Sequence, residues 1–262
     1  MGVEKDRAIV IHSFPLREAD RIVTFCTPHF GKVRAIARGS RKAKSRLSAS
    51  VELFNVGELV FYHRPNRDLQ YVNAFDVDLP IAGRLRDPLT VAYASHFAEL
   101  VGHLSLEGEE NPALFELLRA GLEALPDVRS VRDLHRLARS FEMKLLVVSG
   151  YRPHFESCVV CSGPLPRDEV AVGLHLGGAL CERHCQQDRT LVVAPSTLDG
   201  VRELARRTLA EATSIDLSRR EAIEMKRLLS LFLEERLERR LRCHEYIDGL
   251  ERNVREETPI HH

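Results

Sequence analysis

The chain lacks a charge imbalance. Across 262 residues, 38 basic side chains meet 38 acidic ones, so nothing draws the whole molecule toward a polyanion and any such surface has to be local. It also has no run of about 18 apolar residues, which leaves no candidate for a helical membrane span. The charged opening Met1-Gly-Val-Glu-Lys-Asp-Arg7 is not followed by the apolar segment of a signal peptide, so cytoplasmic is the expected address. Phosphate loops, dinucleotide glycine patterns, Gly-x-Ser-x-Gly elbows and His-Glu-x-x-His pairs are all missing. Neither nucleotide hydrolysis nor a hydrolase triad has a motif to stand on, and a binding protein is expected rather than an enzyme. What remains is 44% apolar and 29% charged, an ordinary composition for a soluble chain of two or three small domains.

Six cysteines are present, and four of them fall between 158 and 185 in the pattern Cys158-Val-Val-Cys161, a glycine-bearing spacer, then Cys181-Glu-Arg-His184-Cys185. Without a secretion signal, two close pairs of soft ligands point to metal rather than to disulfides. Cys158, Cys161 and Cys181 are ligand candidates. The fourth position falls to His184, which repeats the two-residue spacing of the first pair, or to Cys185, a softer thiolate one residue later. Four protein ligands close the coordination sphere of one zinc per chain, a structural site with no corner left for an activated water. His154-Phe-Glu156 just before the first pair superficially matches a nucleobase-deaminase signature, but that signature needs a separate helix and a proline that this stretch lacks. Cys26 and Cys243 are expected to be packed thiols.

Residues 8 to 80 predict β structure: strands over 8–12, 21–26, 32–38, a long member over 51–63 bending at Gly57, and 69–75. Five short antiparallel strands suit a small Greek-key barrel such as the OB fold, although spacing alone also admits an SH3-like barrel. The third strand alternates small apolar Val33, Ala35 and Ala37 with Lys32, Arg34, Ile36 and Arg38, and Arg41, Lys42, Lys44 and Arg46 follow in a Gly/Ser loop. Seven cations thus run from Lys32 to Arg46 without an acid. They form either a solvated face or a track for a phosphate backbone, and Phe61, Tyr62, Tyr71 and Phe75 are either core or platforms for bases.

Asp87-Pro88 and Asn111-Pro112 are helix starts, and a third helix is expected from about Ser130 to Gly150. Beyond the cysteines, a helix is expected to begin at Pro195-Ser196. Ser218-Arg-Arg-Glu221 opens a long one whose end gathers Arg236, Arg239, Arg240 and Arg242, either as dipole partners or as more phosphate contacts.

Taken in order, Arg21-Ile-Val-Thr24, Phe30-Gly-Lys-Val33, Ala37-Arg-Gly39 with Ser45-Arg-Leu47, Leu114-Phe-Glu-Leu-Leu118, Phe141-Glu-Met-Lys-Leu-Leu146, Gly150-Tyr-Arg-Pro153, Cys158-Val-Val-Cys161 and Gly177-Gly-Ala-Leu-Cys181 make the chain resemble the RecO family of bacterial recombination mediators. The resemblance covers roughly residues 8 to 250. It implies an α+β multidomain architecture: an OB-fold DNA-binding domain over 1–80, then an all-α domain over 81–157 and 191–250 interrupted by a zinc finger at 158–190, with a tail over 251–262. It further implies binding of single- and double-stranded DNA, annealing of complementary strands, and work with RecR and single-stranded DNA-binding protein to help load RecA at the nucleoid. Lys32, Arg34, Arg38, Arg41, Lys42, Lys44 and Arg46 are then the expected DNA contacts. One departure stands out, because His184 occupies the place where the family's finger has its last cysteine. The competing reading is a zinc-stabilised protein-interaction scaffold whose DNA contact is not essential.

Overall fold

The structure is a computed structural model and describes residues 2–42, 44–64, 67–186, 190–238 and 241–256. Two compact units divide the chain: Met1–Pro126 with Leu241–His262, and Asp127–Arg240.

The first unit is built on five strands, β1 (Gly2–Leu16), β2 (Asp20–Thr27), β3 (Gly31–Ala37), β4 (Val56–His63) and β5 (Gln70–Leu79). Their order is β1-β2-β3-β5-β4, and β1 also pairs with β4, so the sheet closes on itself. Every pairing is antiparallel except β3 with β5, which run parallel with Ala35 opposite Gln70 and Ile36 opposite Tyr71. Val10, Val23, Phe25, Ala35, Leu59, Phe61 and Phe75 fill the interior. The period-two alternation of β3 holds: Val33, Ala35 and Ala37 are buried, while Lys32, Arg34 and Ile36 are half-buried on the other face.

The long member differs from the expectation. It is β1, which pairs with β4 through its first half and with β2 through its second, with a register shift between Val10 and His12. Its charged start is tolerated because Lys5 pairs with Glu58 on the adjacent β4 at 2.8 Å and Arg7 reaches across to Asp78 on β5, one strand further on. Val51–Asn55 leave the sheet instead. A short helix, α1 (Arg46–Ser50), precedes them, and Asn55 donates its side-chain amide to the carbonyls of Ala49 and Ser50 at 3.0 and 3.2 Å, turning the chain before β4 begins. Gly57 is required for a reason other than a bend, since a Cβ there would lie 2.3 Å from the carbonyl oxygen of Asp76 on β5.

Helices α2 (Pro88–Leu104) and α3 (Pro112–Ala124) start where the sequence predicts. Asp87 accepts from the N–H groups of Leu89 and Thr90 at 3.0 and 2.9 Å, and Asn111 accepts from that of Leu114 at 3.0 Å, caps each worth about 1 kcal/mol. Both helices group with the strands rather than with the helices between Asp127 and Arg240. The N–H of Lys32 donates to Leu106 and that of Asn111 to Pro28, at 3.0 and 2.9 Å. Gly31, with φ +60°, lies so close to the Leu106 carbonyl that a Cβ would approach it to 2.2 Å. The compact unit therefore extends to Pro126. The long C-terminal helix is also divided. It stops at Leu237, Glu238 takes a left-handed conformation, and α8 (Arg242–Glu256) packs against α2, where the Tyr93 hydroxyl donates to the buried Glu251 carboxylate at 2.8 Å.

The second unit contains α4 (Val131–Val148), a three-stranded sheet of β6 (Val170–Gly173), β7 (Gly178–Leu180) and β8 (Thr190–Val193) in the order β7-β6-β8, then α5 (Pro195–Arg206), α6 (Leu209–Ala212) and α7 (Arg219–Leu237). Leu137, Phe141, Leu145, Leu198, Val201, Leu204, Met225, Leu229 and Phe232 are among its buried apolar side chains. Ser218 and Glu221 form the expected capping box. The start of α5 is capped from a distance: Glu224 on α7 accepts from the N–H of Ala194 at 2.8 Å and from the Thr197 hydroxyl at 2.6 Å. No helix among the described residues is long and apolar enough to cross a membrane.

Candidate metal centre and nucleic-acid interface

The two cysteine pairs are brought together by the small sheet. Cys158 opens a tight turn in which Ser162 donates its N–H to the Cys158 carbonyl at 2.8 Å, with Ser162 itself at φ 57°. That turn is hung on β7, because the Val159 N–H donates to Ala179 at 2.9 Å and the Ala179 N–H to His154 at 2.8 Å. Gly178 permits this approach, since a Cβ there would fall 2.4 Å from the His154 carbonyl oxygen. Cys181 follows β7 directly, and a turn closed by the His184 N–H on the Cys181 carbonyl at 2.9 Å carries His184 back to the same point.

The ligand atoms of Cys158, Cys161, Cys181 and His184 all lie within 4.8 Å of one another. Zn–S and Zn–N bonds of about 2.3 and 2.0–2.1 Å set tetrahedral edges of roughly 3.8 Å between sulfurs and roughly 3.6 Å from sulfur to nitrogen. Cys161 Sγ and Cys181 Sγ are 3.8 Å apart, and His184 Nδ1 is 3.5 Å from Cys158 Sγ and 3.2 Å from Cys181 Sγ. Donor type and spacing fit a zinc ion. Cys185, the competing fourth ligand, lies outside this group: its thiol donates to the Glu182 carbonyl at 3.0 Å. The side-chain direction of consecutive residues decides the choice, since the turn that aims His184 inward aims its neighbour away. Burial disfavours a thiolate at Cys158, yet backbone N–H groups of Cys181, Cys161 and Val160 aimed at its sulfur outweigh burial and lower its pKa to about 6. His154 and Glu156 stand outside the ligand group and pair with each other at 3.4 Å.

The two thiols far from this cluster in sequence are held in their protonated form. Burial, then the nearby Asp6 carboxylate, pushes Cys26 up to about 12, and burial with Glu99 does the same at Cys243.

The seven cations expected to meet DNA do not share one environment. Lys32 donates its ammonium to the Gly102 carbonyl in the last turn of α2 at 3.0 Å, and Arg41 donates to the Arg17 carbonyl at 2.6 Å. Arg34 is half-buried on the outward face of β3. Arg38, Lys42, Lys44 and Arg46 are exposed, in a segment that leaves β3 and ends in α1. The four aromatics divide as well. Phe61 and Phe75 are 0% and 3% exposed and belong to the barrel core, which removes them as base platforms. Tyr62 and Tyr71, register partners on β4 and β5, are only half-buried and face outward. The Arg38 guanidinium lies 4.4 Å from the centre of the Tyr71 ring and that of Arg64 5.7 Å, cation–π contacts worth about 0.5–1 kcal/mol each at exposed sites. Arg38, Tyr62, Arg64, Tyr71 and Val72 line a depression of about 220 Å³. Arg64 lies outside the basic run and carries no expectation from the sequence. The β4–β5 pairing brings it to Tyr71. Of the later arginines, Arg236 rests 4.0 Å from the Tyr151 ring, whereas Arg239, Arg240 and the side chain of Arg242 lie outside the described residues.

Comparison with known proteins divides the chain near residue 80, between the β-strands and α2. Residues 1–78 match the family description "Recombination protein O N terminal" and residues 85–244 match "Recombination protein O C terminal". Curated relatives named DNA repair protein RecO align along nearly the whole length. That of Desulforamulus reducens is 30% identical over 252 residues, covering 95% of this chain and 96% of the relative. Those of Symbiobacterium thermophilum and Anaeromyxobacter dehalogenans are 31% and 32% identical, covering 92% and 95% of this chain and 95% and 98% of the relatives. With both halves matched and this identity sustained from end to end, the chain belongs to the RecO family.

Proposed function

We propose that this protein serves recombinational DNA repair as a DNA-binding mediator rather than as an enzyme. The observation that carries the reading is the acid-free basic segment between Lys32 and Arg46, of which Arg38, Lys42, Lys44 and Arg46 are exposed, Arg38 lying 4.4 Å from the ring of the outward-facing Tyr71. Contacts of this kind neutralise phosphates and release counterions without reading sequence, so the same surface serves single and double strands. The ring order β1-β2-β3-β5-β4 and the parallel β3–β5 pair support an OB fold for the barrel, a fold whose outer face holds nucleic acid strands. Cys158, Cys161, Cys181 and His184 hold one structural zinc, which would fix the small sheet by closing four ligands around a single ion. The names of its relatives and its family membership support a place in DNA repair and recombination; RecR, single-stranded DNA-binding protein and, indirectly, RecA are the partners that the resemblance implies, at the nucleoid.

Annealing of complementary fluorescent strands tests this reading. The wild-type chain should accelerate annealing, and a variant with Lys42, Lys44 and Arg46 changed to glutamine should not. Equal acceleration by both would return the basic segment to a solvated surface.

A further inference from the structure

We infer that Tyr62, Tyr71, Arg38 and Arg64 form a slot for one unstacked nucleobase, so that the barrel distinguishes a single strand from a duplex at this point. The inference rests on the DNA-binding reading and adds to it a part that touches bases rather than phosphates. Tyr62 and Tyr71 stand opposite each other on β4 and β5, half-buried, with the planar face of Tyr71 already used by two guanidinium groups. At about 220 Å³ the depression is smaller than the ~300–1,000 Å³ of pockets for drug-sized ligands, and its lining combines two aromatic rings with two cations. That chemistry matches one base with its adjoining phosphate.

Stacking a base on Tyr71 requires one guanidinium to leave the ring. The exchange is favourable in direction, because base–aromatic stacking exceeds an exposed cation–π contact and the displaced arginine gains a phosphate partner. Arg38 also begins the basic segment that continues through Lys42, Lys44 and Arg46, so a strand held by those cations is delivered to the slot. In a duplex each base is stacked between neighbours and no face is offered to Tyr71. The slot therefore contributes to single-strand binding alone, while the loop cations contribute to both forms.

The test compares a thymidine oligonucleotide, an abasic phosphodeoxyribose strand of equal length and a duplex, each titrated with the full chain. Tyr71→Ala should bind the thymidine strand roughly 5- to 150-fold more weakly, the range for loss of one stacked base, and should bind the abasic strand and the duplex as wild type does. Tyr71→Phe should keep the affinity. Because the chain has no tryptophan, Tyr71→Trp carries a single indole whose emission should be quenched by the thymidine strand and not by the abasic one. If Tyr71→Ala weakens all three ligands equally, or none, while the Lys42, Lys44 and Arg46 variant weakens them all, the slot is overturned and the basic track stands. If neither variant alters any binding, the DNA-binding reading fails with it.

Discussion

The ammonium of Lys32 donates to the carbonyl of Gly102 at 3.0 Å, so the first cation of the basic run fastens β3 to the end of α2. Its neighbours in sequence have other duties, and substitution separates them. Lys32→Met keeps the aliphatic stem and removes the donor from a helix C-terminus. It should cost about 1–2 kcal/mol in a urea unfolding titration. The salt dependence of DNA binding should be unchanged, which sets Lys32 apart from Lys42, Lys44 and Arg46.

The metal centre makes a paired prediction. Elemental analysis of tag-free protein should return one zinc per chain for wild type and for Cys185→Ser, whose thiol is turned toward Glu182. His184→Ala opens a corner of the tetrahedron and should lower the zinc content and the resistance of the second unit to proteolysis. Equal zinc in His184→Ala and loss in Cys185→Ser would reverse the assignment.

His29 sits over a mostly buried carboxylate. Its Nδ1 is 2.9 Å from Asp6, and its backbone N–H donates to the same group at 3.0 Å. The side-chain hydrogen bond to Asp6, followed by the charge of Asp6, raises the histidine pKa above its ordinary value. The folded state therefore binds the proton more tightly than the unfolded chain. The resulting stabilisation is complete below the unfolded value of about 6.5 and is lost as pH rises through the higher folded value. Thermal unfolding followed from pH 6 upward, in wild type and His29→Gln, should converge as pH rises. A difference that stays constant with pH would assign His29 a packing role only.

Much of this molecule follows from local sequence. Asp87, Asn111 and Ser218 cap helices because each side chain reaches only its own next turn, and the two faces of β3 follow from the period of a strand. The ligand set was legible to three residues, and the choice between His184 and Cys185 required the turn that orients them. What stayed hidden depends on partners far away in the chain. Glu224 caps a helix 30 residues earlier at Ala194, and Arg64 reaches Tyr71 only through a strand pairing. Lys32 looks like a surface cation until Gly102 is placed beside it. The charged start of β1 conceals a strand because its ion pairs lie on β4 and β5. Tyr71 and Phe75, four residues apart and so on one face by the period of a strand, separate into surface and core because the β4–β5 register shifts between them.

The central claim is that exposed cations after β3 hold DNA through its phosphates, and the salt dependence of single-strand binding tests it most directly. Replacing Lys42, Lys44 and Arg46 with glutamine should weaken binding at every salt concentration. It should also make the slope of log K against log salt shallower by about 2, since each single-strand phosphate contact contributes roughly 0.7. An unchanged slope with unchanged affinity would contradict the account.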